Sequence, residues 1–267
     1  MNAIVCIKQV PDTEAPVKVQ GGQLALAGMP TMLNAFDEYA IEEALLLREK
    51  FGGKVTALCM GPAEAAEALK KALAMGADEA VLLSDPAFEG ADPWATAYTL
   101  AAAIRKIGAY DIVLLGKQST DGTSASVGPA VARFLGLPAL TYVFKVREAD
   151  FNGLKITVER LLEGRREVVA GRLPAVVAVV KDINQPRYPT LLGIRKASKA
   201  VIPTWGAADL AAAGANAAGF GRAGAPSVVA AVDYPPPRAG KVELLPGATP
   251  EEQAALLADR LLGLKVL

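Results

Sequence analysis

Histidine is absent from the 267 residues, and cysteine occurs only twice, as Cys6 and Cys59. Without an imidazole there is no Ser/His/Asp triad, no Cys–His dyad and no histidine-ligated metal. Two cysteines are too few for a thiolate cage or a disulfide framework. Both lie in apolar runs, so they read as reduced, buried thiols of a cytoplasmic protein. Net charge is lacking as well: 28 Lys+Arg balance 28 Asp+Glu, leaving no excess of cations to neutralise phosphates along a nucleic acid. No stretch approaches the ~20 apolar residues of a bilayer span. Met1–Val10 is apolar but has no basic leader, long apolar core or small-residue cleavage site, and reads as a first strand.

What is present is a large apolar fraction, 52%. A chain this long buries about 70–75% of the surface its unfolded form exposes, so a sizeable core is available. The apolar runs Ala3–Val10, Lys54–Met60, Glu79–Ser84 and Asp111–Leu115 read as strands. Between them lie helical segments: one opened by Asn34 and stopped at Gly52-Gly53, one from Gly61-Pro62 to Met75, and one from an Asp92-Pro93 cap to Ile107. A fourth helix spans about Pro129–Leu135. Alternation at this spacing predicts an α/β fold, a mainly parallel sheet with helices on both faces. Ala139–Val146, Leu154–Leu161, Arg166–Ala170 and Ala175–Val180 then read as strands, the first two joined by a hairpin around Asn152-Gly153. They add an antiparallel section. After Asp182 the chain changes character, with a proline-punctuated basic stretch at Asn184–Ala200 and an Ala/Gly tract at Ala207–Ala225 with little to pack. A capping box at Thr249–Glu252 opens a last helix to about Leu262. The expected division is a nucleotide-binding domain at 1–182 and an extended C-terminal arm at 183–267 that wraps a partner.

Gly219-Phe220-Gly221-Arg222-Ala223-Gly224 matches G-x-G-x-x-G, but it follows an Ala/Gly tract rather than a strand, and a flexible linker is the expectation. Gly116–Gly128 (GKQSTDGTSASVG) is placed better, leaving the C-terminal end of the fourth strand, where open α/β sheets bind ligands. Its hydroxyls and the amides of the following helix suit an anion; an ordinary polar loop with a Ser cap fits equally well. Asn34–Asp37 starts a helix facing the same edge and reads first as a plain cap. Asp37, Glu38, Glu42 and Glu43 read as macrodipole complement and solvated face. Arg187, Arg195, Lys196 and Lys199 form a docking patch or solvated surface.

Several ordered blocks resemble the beta subunit of an electron transfer flavoprotein. They are Val5–Val10, Asn34-Ala35-Phe36 with Glu42-Glu43-Ala44, Ala72–Asp78, Leu114–Gln118 with Asp121, Leu173–Val176 and Asn184–Tyr188. The resemblance covers residues 1–200 and implies a heterodimer with an alpha subunit carrying an electron-transferring FAD. It implies that the beta subunit is a Rossmann-like α/β domain whose crevice holds AMP, or a second FAD in electron-bifurcating members. Carried over by motif, the cofactor site comprises Cys6, Asn34, Ala35, Phe36, Asp37, Met60, Gly116, Lys117, Gln118, Ser119, Thr120, Asp121, Gly122, Thr123, Ser124, Ala125, Ser126 and Val127. Tyr188–Ile194 resembles the loop that docks an acyl-CoA dehydrogenase, with Leu191 as its anchor. A related flavoprotein, a quinone oxidoreductase or a ferredoxin are further implied partners, and NADH is an implied donor. The resemblance assigns no catalytic residue and no metal.

Departures bear on the cofactor. Gly122-Thr123-Ser124 stands where many members carry acidic residues, and Ser126 replaces a common Gln; Leu192-Gly193 replaces a Pro-Asn pair in the docking loop and bears instead on which dehydrogenase docks. The run Phe88–Thr96, with Asp121-Gly122 and Val127-Gly128-Pro129, looks more like bifurcating members. Gly122 also removes a side chain where a carboxylate would oppose the added phosphate of FAD. The expectation is therefore a bifurcating-type subunit with FAD. A non-bifurcating subunit with structural AMP is the alternative, followed by an adenine-nucleotide sensor and by an enzyme using Lys8 or Asp121.

Overall fold

Apolar runs bounded by Gly, Pro or Asp become the layers of an α/β sheet. The computed structural model describes residues 1–25, 28–236, 239–240 and 242–266; Pro237, Arg238, Lys241 and Leu267 of the expected arm lie outside the described residues. Contacts divide the chain into Met1–Ala231 and Val232–Leu267, so residues 183–231, expected in the arm, belong to the first unit.

The first unit begins with β1 (Asn2–Ile7), β2 (Gln9–Pro11), the short pair β3 (Val19–Gln20) and β4 (Gln23–Leu24), and β5 (Thr31–Leu33). Helix α1 (Ala35–Phe51), β6 (Lys54–Met60), α2 (Ala66–Met75), β7 (Glu79–Leu83), α3 (Pro93–Ile107), β8 (Ile112–Gly116) and α4 (Val127–Leu135) follow. Next come β9 (Ala139–Asp150), β10 (Lys155–Leu162), β11 (Arg165–Arg172) and β12 (Ala175–Val179), then α5 (Leu191–Ala197), β13 (Thr204–Trp205), α6 (Ala207–Ala212) and the single turn α7 (Gly221–Gly224). A nine-stranded sheet has the order β11-β10-β9-β12-β8-β1-β6-β7-β13. Its strands are parallel except for the β9–β10–β11 section, which is antiparallel as expected.

Alternate residues of β1 serve opposite faces. Ala3, Val5 and Ile7 pack with α1 and α2, while Ile4 and Cys6 pack with α3 and α4. Because β1 continues to β6 on one side and β8 enters on the other, strand order reverses between β1 and β8. This is the switch point at which such sheets open a crevice.

Three local expectations are corrected. Ala3–Val10 is not one strand: the Lys8 amide leaves the ladder to donate to Asp37 Oδ2 at 2.8 Å, and β2 pairs with β5 in a separate small sheet. The Ala/Gly tract is no linker. Leu210 and Phe220 are fully buried in the α3–α4 core, and the Phe220 ring meets Phe88 at 5.2 Å and Tyr98 at 5.6 Å. Gly221 there has φ +51°, and a Cβ on it would sit 2.2 Å from Ala87 O, so the glycine is required by close packing. The acidic cluster of α1 is not a solvated face, since Asp37, Glu42 and Glu43 are all buried. Glu42 receives Arg187 through Nε at 2.8 Å and Nη2 at 2.9 Å, and Glu43 accepts from Asn184 at 3.0 Å. Arg187 also reaches Glu49 at 2.6 Å. It therefore fastens residues 184–188 onto α1 and is not part of a free basic patch.

The second unit contains α8 (Pro250–Gly263), whose Thr249 hydroxyl accepts from Glu252 N at 3.3 Å. Leu256, Leu257 and Leu262 are exposed along it, as is Leu264 just after its end. Among the described residues no helix is long and apolar enough to cross a membrane.

Candidate functional site

The C-terminal ends of β1, β6 and β8 form the floor of a cavity of about 740 Å³. Parallel strands all deliver their last residues to this edge, which is why Cys6, Met60 and Gly116, distant in sequence, meet there. Cys6, Met60, Leu100 and Leu115 give it an apolar base. Burial pushes the thiols of Cys6 and Cys59 well above their ordinary range, so neither is a thiolate nucleophile.

Asp37 and Asn34 organise the crevice from the start of α1. Asp37 Oδ2 accepts from Lys8 N at 2.8 Å and Oδ1 from Gly116 N at 3.0 Å, so one carboxyl bridges β1 to β8 across the switch point. Burial pushes this carboxyl up to about 7, against hydrogen bonds from Lys8, Asn34 and Gly116 and the Lys8 charge. Asn34 sits at the N-cap position but makes no cap bond. Its side chain turns to the 116–126 loop, donating to Gln118 O at 3.0 Å and accepting from Thr120 N at 3.2 Å. The plain-cap expectation thus gives way to a stitch between helix and loop. Gly116 is a cradle: a Cβ there would lie 2.5 Å from Asp37 Oδ1 and 2.6 Å from Phe36 Cβ.

The 116–126 loop is polar and backbone-rich. Thr123 and Ala125 have φ of 47° and 53°, and Ser126 follows in the right-handed region. A left-handed residue followed by a right-handed one makes an anion-binding concavity of amides. Ser126 makes no cap bond to α4, and a helix's first amides have no intrahelical partner, which leaves Val127 N and Gly128 N for a ligand. Lys8 and Asp121 pair at 2.6 Å. Burial works to raise the Asp121 carboxyl, but hydrogen bonds from Lys8 and Ser119 and the Lys8 charge hold it below the usual carboxylate range. Lys117 rests over the rings of Phe36 and Tyr142, 5.6 Å and 5.4 Å from their centroids.

Of the residues carried over by motif, Cys6, Asn34, Asp37, Met60, Gly116, Lys117, Gln118, Ser119, Gly122, Ser124, Ala125, Ser126 and Val127 line the cavity. Ala35, Phe36, Thr120, Asp121 and Thr123 do not line it; Phe36 packs under Gly116, and Asp121 holds Lys8. Leu191 is elsewhere, at the start of α5 and 83% exposed. Missing from the carried-over set is a further wall made by Gly90–Pro93, Thr96, Arg222 and Ser227–Val229. Only its 90–96 part carried a signal, the resemblance of that run to bifurcating members. Among the described residues no group of three or more His, Cys, Asp or Glu is placed to hold a metal ion.

Hydroxyls, helix-start amides and lysines around an apolar floor form the donor set of a phosphorylated, ring-bearing ligand. The relatives agree with the fold. Residues 22–210 match the family model described as "Electron transfer flavoprotein domain". The chain is 49% identical over 195 residues to the "Electron transfer flavoprotein subunit beta" of Thermoanaerobacterium thermosaccharolyticum, covering 73% of this chain and 74% of that protein. The chain belongs to the electron transfer flavoprotein beta-subunit family. It is also 42% identical to "Protein FixA" of Bradyrhizobium diazoefficiens, over 96% of this chain and 90% of the relative. It is 40% identical to "Caffeyl-CoA reductase-Etf complex subunit CarD" of Acetobacterium woodii, over 98% of each. Membership of this family makes an electron-transfer role with an alpha-subunit partner the frame for the crevice. An adenine-nucleotide cofactor fits the residues present, since loop hydroxyls and α4 amides suit phosphates and the Cys6–Met60 floor suits a ring.

Proposed function

We propose that this chain is the beta subunit of a heterodimeric electron transfer flavoprotein whose crevice holds a second FAD, and that the complex works by flavin-based electron bifurcation. It would pass electrons between NADH or an acyl-CoA dehydrogenase and a further acceptor in the cytoplasm. The observation that carries the FAD assignment is the extent of the cavity. Small-molecule sites run from roughly 300 to 1,000 Å³, and this one, at about 740 Å³, is in the upper half of that range. It continues past the 116–126 loop to the Gly90–Thr96 wall. AMP has fewer than half the atoms of FAD and would leave that wall unused. Gly122 adds support, because no carboxylate follows Asp121 to oppose a second phosphate.

The bound flavin supplies the redox chemistry. This chain's residues do the rest. Val127 N, Gly128 N and the loop serines hold phosphates, Asn34 and Asp37 fix the loop that carries them, and the apolar floor excludes water from the ring. Nothing in the site acts as a nucleophile. The named assembly of CarD with a caffeyl-CoA reductase makes an acyl-CoA-type flavoenzyme a reasonable class of docking partner. The exposed Leu191 and Tyr188 present a surface for it. The exposed apolar residues of α8 would be covered by the alpha subunit.

Denaturing the purified heterodimer and quantifying released nucleotides by chromatography tests the assignment. Two FAD and no AMP per heterodimer are expected. One FAD with one AMP would make the chain a non-bifurcating subunit and overturn the proposal.

A further inference from the structure

After α6 the chain returns over the β7–α3 connection and builds the cavity wall that motif matching did not supply. Arg222 N donates to Glu89 O at 2.8 Å, and its Cβ lies 3.1 Å from where a Cβ on Gly90 would be, so the Arg222 stem is laid on Gly90. Its guanidinium donates through Nη1 to Ala225 O at 2.9 Å and Ser227 O at 3.3 Å. Asp92 fixes the same wall with both oxygens. Oδ1 caps α3 by accepting from Trp94 N and Ala95 N at 3.0 Å each, and Oδ2 accepts from Ser227 N at 3.0 Å and Ser227 Oγ at 2.6 Å. Asp92 is thus committed to Ser227 and the helix, and no carboxylate pairs with Arg222 among the described residues.

Among the described residues three cations line the cavity, and they are not equivalent. Lys8 is neutralised by Asp121. Lys117 sits over two rings beside the β8 loop. Arg222 is held only by neutral carbonyls, on the side of the cavity hung from β7. In the sheet, β7 and β8 are three places apart, ~14 Å at the usual strand spacing. A mononucleotide whose phosphate sits on the β8 loop is satisfied by that loop and the floor beside it. A dinucleotide laid across the crevice continues toward β7.

We propose that Arg222 is a specificity-determining residue that donates to the part of a bound dinucleotide which a mononucleotide lacks, so that the crevice selects FAD over AMP. It rests on the crevice being a nucleotide site. The chemistry matches: the far half of FAD ends in a ring edge rich in carbonyl oxygens and nitrogen acceptors, and a planar guanidinium with unused N–H groups recognises such an edge by paired hydrogen bonds. The Asp92–Ser227 clip holds the wall in register, so Arg222 is presented without ordering a free loop.

The test is equilibrium dialysis of the heterodimer, reading the dissociation constants for a second FAD and, separately, for AMP. Arg222→Gln should weaken the second FAD about tenfold, as loss of a charged donor does, and leave AMP within about twofold of the parent. Arg222→Lys should recover part of the loss. Ser227→Ala removes one hydroxyl of the wall and no charge, and should cost less than Arg222→Gln. The inference is overturned if Arg222→Gln leaves FAD affinity unchanged, if it weakens AMP equally, or if Ser227→Ala matches its effect, which would assign the loss to the wall's position. A parent complex that takes up neither nucleotide overturns the nucleotide-site assignment itself and Arg222's role with it. Normal nucleotide uptake with an indifferent Arg222→Gln overturns Arg222's role alone.

Discussion

Replacing Asn34 separates a helix cap from a stitch. As a cap, Asn34 would be exchangeable with Ser, Thr or Asp at a cost of a few tenths of a kcal/mol, and Asn34→Ala would cost about 1 kcal/mol. The structure gives it other work. The side chain is 1% exposed, makes no cap bond, and joins Gln118 O and Thr120 N at 3.0 Å and 3.2 Å. Removing it strands one carbonyl and one amide, both part-buried, at about 1–1.5 kcal/mol each, so Asn34→Ala should cost about 2–3 kcal/mol. Asn34→Asp should be nearly as damaging, because it keeps an acceptor for Thr120 N but loses the donor to Gln118 O and adds charge beside buried Asp37. Chemical denaturation of the purified complex reads the energy. Hydrogen exchange over residues 116–126 reads the location, and protection there should fall while α1 stays protected. Full rescue by Asn34→Asp or Asn34→Ser, or loss of protection confined to the first turn of α1, would refute the stitch.

Other consequences follow from the same geometry. Gly116→Ala places a Cβ 2.5 Å from Asp37 Oδ1 and 2.7 Å from the Phe36 carbonyl carbon; overpacking of this kind costs about 1–3 kcal/mol, and the complex should lose nucleotide measured after gel filtration. Arg187→Met leaves the buried Glu42 carboxylate unpaired and should destabilise by about 2–4 kcal/mol in denaturation, with most of the loss restored by adding Glu42→Gln. The Asp37 carboxyl is raised by burial from 3.8 to about 7, so the folded state keeps a proton that the unfolded state releases between those values. Its contribution to stability is complete below the unfolded value and is lost as pH rises through about 7, a swing of about 4 kcal/mol. Unfolding midpoints of Asp37→Asn should therefore fall less steeply than those of the parent between about pH 4 and 7. Leu191→Ala removes a side chain that is 83% exposed; it should leave folding and nucleotide content unchanged and weaken acyl-CoA dehydrogenase binding by about 1–3 kcal/mol in a titration, as loss of an interface anchor does.

Features set by neighbouring residues were legible in the sequence. Asp92-Pro93 announced the start of α3, and Asp92 does accept from Trp94 N and Ala95 N; α1 stops at Gly52, and α2, α3 and α4 end at Met75, Ile107 and Leu135 as expected. Features set by distant partners were not. Glu42 and Glu43 look like a polar helix face because the residues that bury them, Arg187 and Asn184, arrive more than a hundred positions later. Asn34 has the right type and place for a cap, and no local pattern shows that its amide faces a loop instead. Lys8 interrupts an apolar run that reads as one strand, because the acceptor that draws its amide away is on α1.

The wall at 219–229 shows how a motif can mislead in both directions. Its G-x-G-x-x-G is not a phosphate turn, since no strand leads into it and α7 is only one turn long. Nor is it a linker. A lone aromatic inside an Ala/Gly tract is a signal in its own right: small residues let the backbone approach closely, and the aromatic ring supplies an anchor. Phe220 does this against Phe88 and Tyr98, and Gly221 permits the contact with Ala87 O. Once Phe220 is seated and Gly221 has turned against Ala87 O, the residue delivered to the cavity rim is Arg222. The anchor therefore explains why a charge far along the chain stands at the edge of a crevice built from β1, β6 and β8. It also makes Phe220→Ala an indirect probe of the same wall. Loss of a buried aromatic should cost about 3–5 kcal/mol, and as the wall loosens, retention of a second FAD should fall before that of AMP. Equal loss of the two would place the wall outside the binding site.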